Sequence, residues 1–177
     1  MKILITVCAR GGSKGIKDKN IREIEGKPLI AYTLDVARKW GKAARVICST
    51  DSEKIATAAK QYGAEVPFIR PPELASDSAG KVGVIRHALS ACEEIYGEKY
   101  DLVVDLDVTS PLRTVNDLDN CLELYQSKKP DILFSVVPAR RSPYFNMVEL
   151  QEDGFVELSK RPAGLIMRRQ DAPTVYD

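Results

Sequence analysis

The sequence has little histidine and no closely paired cysteines. One histidine in 177 residues argues against a histidine-rich metal site and against Ser–His–Asp hydrolysis, because both need histidine as a ligand or a base. The four cysteines form no CxxC pair, so neither a zinc ribbon nor a disulfide framework is indicated. We expect all four to be small buried side chains in a reducing compartment. They are Cys8, Cys48, Cys92 and Cys121.

An excess of charge and long apolar runs are also lacking. Lys and Arg total 26 and Asp and Glu total 25, so a net charge of +1 provides no general attraction for nucleic acid. No apolar run approaches the roughly 20 residues that a membrane-spanning helix needs. Residues 1–9 (MKILITVCA) turn polar too soon for a secretory signal. We therefore expect a cytoplasmic protein with neither a nucleic-acid partner nor a membrane partner.

Short β-branched runs alternate with helical periodicity along most of the chain. Strands are predicted at residues 3–7, 45–49, 65–69, 102–106 and 132–137, and helices at residues 29–40, 53–62, 82–96 and 116–125. Asp51 is the predicted N-cap of the second helix. This alternation predicts an α/β fold, a doubly wound, mostly parallel Rossmann-like sheet in a single domain over residues 1–177.

The pattern changes near the end of the chain. Residues 147–160 (MVELQEDGFVELSK) are two alternating runs around an Asp-Gly turn, which predicts a β-hairpin. We expect an extension at about residues 143–165 that protrudes from the core and meets a partner subunit. The final RRQDAPTVYD has neither a closing helix nor a polar tail, so we also expect that a C-terminal part is absent.

A glycine-rich, charged loop follows the first predicted strand. Residues 8–20 read CARGGSKGIKDKN, with cations at Arg10, Lys14, Lys17 and Lys19. Glycine lets backbone N–H groups approach phosphate oxygens, and the cations add charge. The order of residues fits neither GxGxxG nor GxxxxGK[ST]. A solvated surface turn is the alternative, but a loop at the carboxyl end of a strand in an α/β sheet favours a polyphosphate site.

Several ordered motifs resemble one enzyme family. They are ARGGSKG-x₃-KN followed by GKPLIAYT, STDS (49–52), RPPELASDSA (70–79), TSPLRT (109–114) and RRQDAP (168–173). Together they resemble the acylneuraminate cytidylyltransferases, and VPARRSPYFN and RRQDAPTVYD resemble the branch that uses legionaminic acid. The resemblance implies a nucleotide-diphospho-sugar transferase fold, a homodimer, Mg²⁺, and transfer of CMP from CTP to a nine-carbon 2-keto sugar acid.

The same resemblance assigns roles to particular residues. Catalytic roles fall to Arg10, Lys14 and Lys19; nucleotide contacts to Arg10, Gly11, Gly12, Ser13, Lys14, Asn20 and Arg70; substrate contacts to Asp107, Arg113, Arg169 and Gln170; and a metal contact to Asp107. A further acidic Asp-x-Asp metal pair is expected beyond residue 177. The alternatives are a CMP-pseudaminate or CMP-octulosonate synthetase, or a non-catalytic nucleotide-binding module should the chain end naturally here.

Several roles stay open at this point. Asp107 replaces a glutamine found in many relatives, and it either ligates Mg²⁺ or accepts hydrogen bonds from the sugar, because a carboxylate cannot donate them. Strand alternation places Asp105 on the same side, where we expect it to cap the next loop. Lys81 either reaches a phosphate or only begins a helix. Arg113 either holds the substrate carboxylate or braces its loop. Asp77 is expected in a turn or cap.

Overall fold

The N-terminal part of the chain is organised around a parallel β-sheet. The computed structural model describes residues 1–162 and 164–177, which divide into two units, Met1–Ser127 and Lys128–Asp177. In chain order the strands and α-helices are β1 (Ile3–Cys8), β2 (Glu23–Ile24), β3 (Lys27–Pro28), α1 (Leu29–Trp40), β4 (Arg45–Ser49), α2 (Glu53–Gln61), α3 (Lys81–Tyr96), β5 (Leu102–Asp105), α4 (Val115–Lys128), β6 (Val148–Leu150) and β7 (Val156–Leu158).

Strand β1 lies at the centre of the sheet. The strand order is β4-β1-β5, and both pairings are parallel. Alternate residues of β1 point to opposite faces: Ile5 and Val7 pack with residues of α1, α2 and α4, whereas Leu4 packs with Ile47 and with residues of α3. Helices therefore cover both faces, and the prediction of a doubly wound α/β fold is confirmed.

The predicted helices form, with shifts at their ends. α1 spans the predicted residues and ends where Gly41 adopts the left-handed conformation with φ +66°. α3 begins one residue early, at Lys81. α4 is longer than predicted at both ends. The N-cap of α2 is Ser52, so the prediction that Asp51 caps this helix is wrong.

Two predicted strands differ from the structure. Residues 65–69 contribute only one parallel bridge, between Glu65 and Ile47. Pro67 has no N–H to donate, which explains why the ladder goes no further. Residues 132–137 form no strand, so that prediction is wrong. Val137, at the end of this segment, instead exchanges backbone hydrogen bonds with Asp177, with N···O distances of 3.2 and 2.9 Å.

The second unit contains the predicted β-hairpin. β6 and β7 pair antiparallel, with Val148 opposite Leu158. Gly154 adopts φ +83° in the connecting turn, a conformation that glycine reaches without strain. The hairpin is thus confirmed, whereas its role in dimerisation stays a prediction, as does the single-domain organisation.

The cysteines do not all behave as expected. All four thiols are free, and Cys48 and Cys92 are buried, but Cys8 is half-buried and Cys121 is exposed. The expectation of burial is therefore wrong for Cys121, which lies on α4. Within the described residues, no helix combines the length and the apolar character needed to cross a membrane.

We expect Leu34→Ala to lower the free energy of unfolding by about 2–5 kcal/mol, because truncation of a buried leucine removes apolar contacts and leaves a cavity. Leu34 is fully buried between α1 and the sheet. Urea unfolding followed by circular dichroism measures the loss. The control is Lys39→Ala on the exposed side of α1, which should change stability by less than about 0.5 kcal/mol. Equal effects of the two variants would contradict this assignment of the core.

Candidate active site

A cavity of about 520 Å³ lies at the carboxyl ends of β1 and β5. It is lined by Cys8, Arg10, Ser13, Lys14, Gly15, Ile16, Lys19, Asn20, Asp107, Val108 and Thr109. The fold thus brings together six of the residues to which the sequence assigned roles: Arg10, Ser13, Lys14, Lys19, Asn20 and Asp107. Ligand sites of open α/β sheets lie at this edge.

Asn20 closes the charged loop of residues 8–20. Its side-chain amide donates a hydrogen bond to the Arg10 carbonyl oxygen at 2.9 Å, and the residue is buried in the short 3₁₀ helix Lys19–Ile21. Asp18, just before this helix, adopts φ +52°, which reverses the chain. Asn20 therefore fixes the loop that carries the cations, a structural role in addition to the predicted nucleotide contact.

Asp51, in the segment that follows the neighbouring strand β4, holds the start of the charged loop. The Gly11 N–H donates to Asp51 Oδ1 at 2.9 Å. A Cβ at Gly11 would lie 3.0 Å from the Ser52 Cβ, so glycine permits this close approach. The Gly11 amide is therefore engaged within the protein, and neither Gly11 nor Gly12 lines the cavity. Their predicted nucleotide contacts stay predictions.

Asp77 binds two of the loop's cations. Its Oδ1 lies 2.8 Å from Arg10 Nη2 and its Oδ2 lies 2.5 Å from Lys14 Nζ. The Lys14 ammonium and the Arg10 guanidinium hold the pKa of the Asp77 carboxyl below its usual value. The sequence indicated only a turn or cap role for Asp77. The spacing of RPPELASD gave no sign of these contacts, which join residues far apart in the chain.

Lys81 joins Asp105, the last residue of β5, to Asp107 just after it. Its Nζ lies 2.7 Å from Asp105 Oδ2 and 2.5 Å from Asp107 Oδ1, so the predicted convergence of the two carboxylates is confirmed. Asp105 also accepts a hydrogen bond from the Thr6 hydroxyl at 2.8 Å, which replaces the expected capping role. Partial burial lowers the pKa of Lys81, but the hydrogen bonds to Asp105 and Asp107 and the attraction of their charges together raise it above its usual value. The lysine stays protonated.

The carboxylates at the cavity fit Mg²⁺ only in part. Across residues 1–162 and 164–177, no group of three or more His, Cys, Asp or Glu side chains is placed to hold a metal ion. Carboxylate oxygen is a ligand that Mg²⁺ prefers, and Mg²⁺ usually takes one or two carboxylates together with phosphate oxygens and water. The residues present thus fit a Mg²⁺ that obtains most of its ligands from a bound nucleotide.

Cys8 is unsuited to be a nucleophile although it lines the cavity. Burial, followed by the nearby Asp105 carboxylate, raises the pKa of the Cys8 thiol to about 12. The reactive form of cysteine is the thiolate, which is scarce near neutral pH at such a pKa. Covalent catalysis through Cys8 is therefore disfavoured.

Arg70 braces the carboxyl end of β4. The residue is 4% exposed, and its guanidinium donates to the Ser49 hydroxyl at 3.0 Å and to the Ser49 carbonyl oxygen. The backbone N–H of Arg70 donates to the Thr50 carbonyl oxygen at 2.8 Å. Arg70 does not line the cavity described above. Its predicted nucleotide contact stays a prediction, and the structure adds a bracing role for the segment next to the charged loop.

Three predicted substrate residues lie outside the cavity lining. Arg113 follows β5, and its Nη1 atom is buried without a hydrogen-bond partner in the described part of the chain. Arg169 and Gln170 lie in the second unit, in the 3₁₀ helix Arg169–Asp171, where the Arg169 guanidinium donates to the Arg140 carbonyl oxygen. Substrate roles for all three stay predictions.

The family of the chain follows from a comparison with known proteins. The family model described as cytidylyltransferase matches residues 4–177. The chain belongs to the cytidylyltransferase family. This cytidylyltransferase is 46% identical over 176 residues to the post-translational flagellin modification protein B of Campylobacter coli, a match that covers 99% of this chain and 74% of that protein.

One further relative agrees with this placement, and a solved structure agrees with the fold. The CMP-N,N'-diacetyllegionaminic acid synthase of Campylobacter jejuni is 43% identical over 176 residues, which cover 99% of this chain and 74% of that protein. A solved structure of CMP:2-keto-3-deoxy-manno-octonic acid synthetase complexed with CTP superposes with a TM-score of 0.58 at 21% identity. It covers 73% of this chain and 49% of that chain, and at this identity it supports the fold alone.

We expect Arg70→Met to lower the free energy of unfolding by about 2–4 kcal/mol, because the Ser49 hydroxyl and carbonyl oxygen lose their buried donor. Thermal or urea unfolding without nucleotide measures this effect. Arg86→Met, the same substitution at an exposed position of α3, is the control and should be nearly neutral. Unchanged stability of Arg70→Met would mean that Arg70 does not brace β4.

Proposed function

We propose that this cytidylyltransferase transfers CMP from CTP to the anomeric hydroxyl of a nine-carbon 2-keto sugar acid of the legionaminic or sialic type, releasing pyrophosphate. The observation that carries the proposal is the cavity that Arg10, Lys14, Lys19 and Asp107 line together. The legionaminic acid named in the Campylobacter jejuni relative supports the sugar class.

The cations of the charged loop suit the triphosphate. CTP carries about four negative charges, and negative charge builds up on the leaving pyrophosphate as the bond to the α-phosphorus breaks. Arg10, Lys14 and Lys19 are fixed near one another by the loop that Asn20 closes. Because their charge is in place before reaction, it stabilises the transition state more than the ground state.

The transfer proceeds by displacement at phosphorus. The anomeric oxygen of the sugar forms a bond to the α-phosphorus as its hydroxyl proton passes to water, and the bond from that phosphorus to the bridging oxygen breaks so that pyrophosphate leaves with the bonding electron pair. The one histidine of the chain, His87, does not line the cavity, so positioning and charge stabilisation provide most of the rate. Asp107 is the carboxylate of the cavity lining, and it is suited to accept a hydrogen bond from the sugar.

Asp107 would also contribute a ligand to Mg²⁺ that enters with the nucleotide. A bound Mg²⁺ supplies charge neutralisation at the phosphate oxygens. Lys81 holds the Asp107 carboxylate in place and reduces the negative charge that the triphosphate meets at this edge of the sheet.

The four free thiols suit a reducing compartment, which supports a cytoplasmic location.

Exposed apolar side chains support a homodimer formed through the hairpin. Leu150, Phe155 and Val156 are 74%, 74% and 57% exposed. Apolar side chains grouped in this way favour burial against another protein surface. A second copy of the chain is the partner that we propose for this surface.

The function predicts pyrophosphate release with CTP but not with ATP, GTP or UTP, when legionaminic, sialic, pseudaminic and octulosonic acids are offered in turn. We expect Arg10→Ala and Lys14→Ala to lower kcat/KM by about 10²-fold or more, because each removes a charge that faces the triphosphate. Coupled detection of pyrophosphate measures the rates.

Lys17→Ala is the matched control. Lys17 belongs to the same loop and is exposed, but it does not line the cavity, so its variant should keep a rate within about threefold of the parent, as expected for a screened surface charge. Equal turnover of all four nucleotides would contradict the proposed function. So would unchanged rates in the Arg10 and Lys14 variants.

The homodimer predicts that Phe155→Asp shifts the sedimentation coefficient from a dimer to a monomer, because a charge replaces an apolar contact at the subunit interface. Gln151→Glu in the same hairpin adds one negative charge without removing an apolar side chain and should stay dimeric. A parent protein that sediments as a monomer would rule out the proposed partner.

A further inference from the structure

The charged loop already holds an anion that belongs to the protein. The two oxygens of Asp77 each take one cation, with Arg10 Nη2 at 2.8 Å and Lys14 Nζ at 2.5 Å. A carboxylate bound in this way presents two oxygens to two cations, as a phosphate group would. Asp77 therefore binds the same two cations, Arg10 and Lys14, that the proposed function assigns to the triphosphate.

The contact is exposed enough to be exchanged. The side chains of Asp77 and Lys14 are 51% and 78% exposed. Exposed ion pairs of this kind are weak and are screened by salt. A ligand with several phosphate oxygens and about four charges offers both cations a stronger partner than one carboxylate does.

The segment that carries Asp77 is attached to the loop by few other contacts. Arg10 Nη1 lies 3.4 Å from the Ala75 carbonyl oxygen, a long hydrogen bond. Asp77 itself lies between the short 3₁₀ helix Pro72–Leu74 and the start of α3. Release of Asp77 thus frees a short connecting segment without opening the core.

We propose that Asp77 is an internal competitor for the phosphate-binding cations: phosphates displace it on binding, and it recaptures Arg10 and Lys14 as pyrophosphate leaves. This proposal rests on the proposed function. Asp77 acts on the reaction through Arg10 and Lys14, and is a positioning residue. Every polyphosphate that reaches the two cations has to break the same contacts, so removal of the competitor should tighten all such ligands by a similar factor.

The test is Asp77→Asn, which keeps the shape of the side chain and removes its charge. Titration calorimetry with inorganic tripolyphosphate and with pyrophosphate should show binding tighter by about 2- to 5-fold for both, the range expected when exposed ion pairs no longer compete. The inhibition constant of pyrophosphate in the CTP reaction should fall by the same factor.

Glu73→Gln is the matched control. Glu73 lies in the same segment, and its carboxylate forms no ion pair with the residues that the structure describes, so the variant removes one negative charge without freeing a cation. Its affinity for tripolyphosphate should stay within experimental error of the parent protein. Equal tightening in both variants would overturn the proposal, because it would reflect net charge alone.

Hydrogen exchange gives an independent readout. Added tripolyphosphate should speed amide exchange in residues 74–79 of the parent protein, and those residues should exchange fast in Asp77→Asn without any ligand. Weaker phosphate binding by Asp77→Asn would overturn the proposal and show that Asp77 holds the cations in place for the ligand. Failure of the parent protein to turn over CTP would reject the proposed function, whereas the tripolyphosphate titrations would still decide the role of Asp77.

Discussion

The parallel pairing of β1 with β4 and β5 is the constraint on which the site depends. Parallel strands end at the same edge of a sheet, so the chain segments that leave them meet there. The charged loop leaves β1, the segment with Asp51 leaves β4, and the segment with Asp107 leaves β5. The burial of β1 on both faces holds these three segments in a fixed relation, which loops without a shared sheet would lack.

Charge at this edge is compensated within the protein. Asp51 accepts a hydrogen bond from the Gly11 amide, Asp77 pairs with cations of the loop, and Lys81 pairs with the carboxylates at the end of β5. A site that gathers cations to bind a polyphosphate would otherwise repel itself when no ligand is bound. Asp77 lies at the surface, where ion pairs are weak enough for a highly charged ligand to exchange them.

The sequence predicts the parts of the structure that local patterns determine. The apolar run of β1, the periodicity of α1 and the cations of the loop each carry their signal within a few residues. The strand and the helix form where the sequence predicts them, and Arg10, Lys14 and Lys19 line the cavity. The contacts of Asp51, Asp77 and Lys81 join residues distant in sequence, so no local pattern reports them. The apolar run at residues 132–137 predicts a strand that does not form, because an apolar run alone does not indicate whether a neighbouring strand is available to pair with it.

Arg70 shows how the two kinds of information differ. The motif around it resembles a nucleotide-binding segment, but burial and the donors directed at Ser49 give the side chain a bracing role that only the fold discloses.

The ion pairs of Asp77 and Asp105 differ in their sensitivity to ionic strength. Mobile ions screen pairs that lie in water and have less effect on pairs that protein atoms surround. Asp105 is only 14% exposed, whereas Asp77 is 51% exposed. Rising salt would thus loosen the carboxylate bound to the charged loop, while Lys81 kept its contact with Asp105. At this edge of the sheet, the exposed contact of Asp77 would therefore change with salt concentration, whereas the less exposed contact of Asp105 would change less.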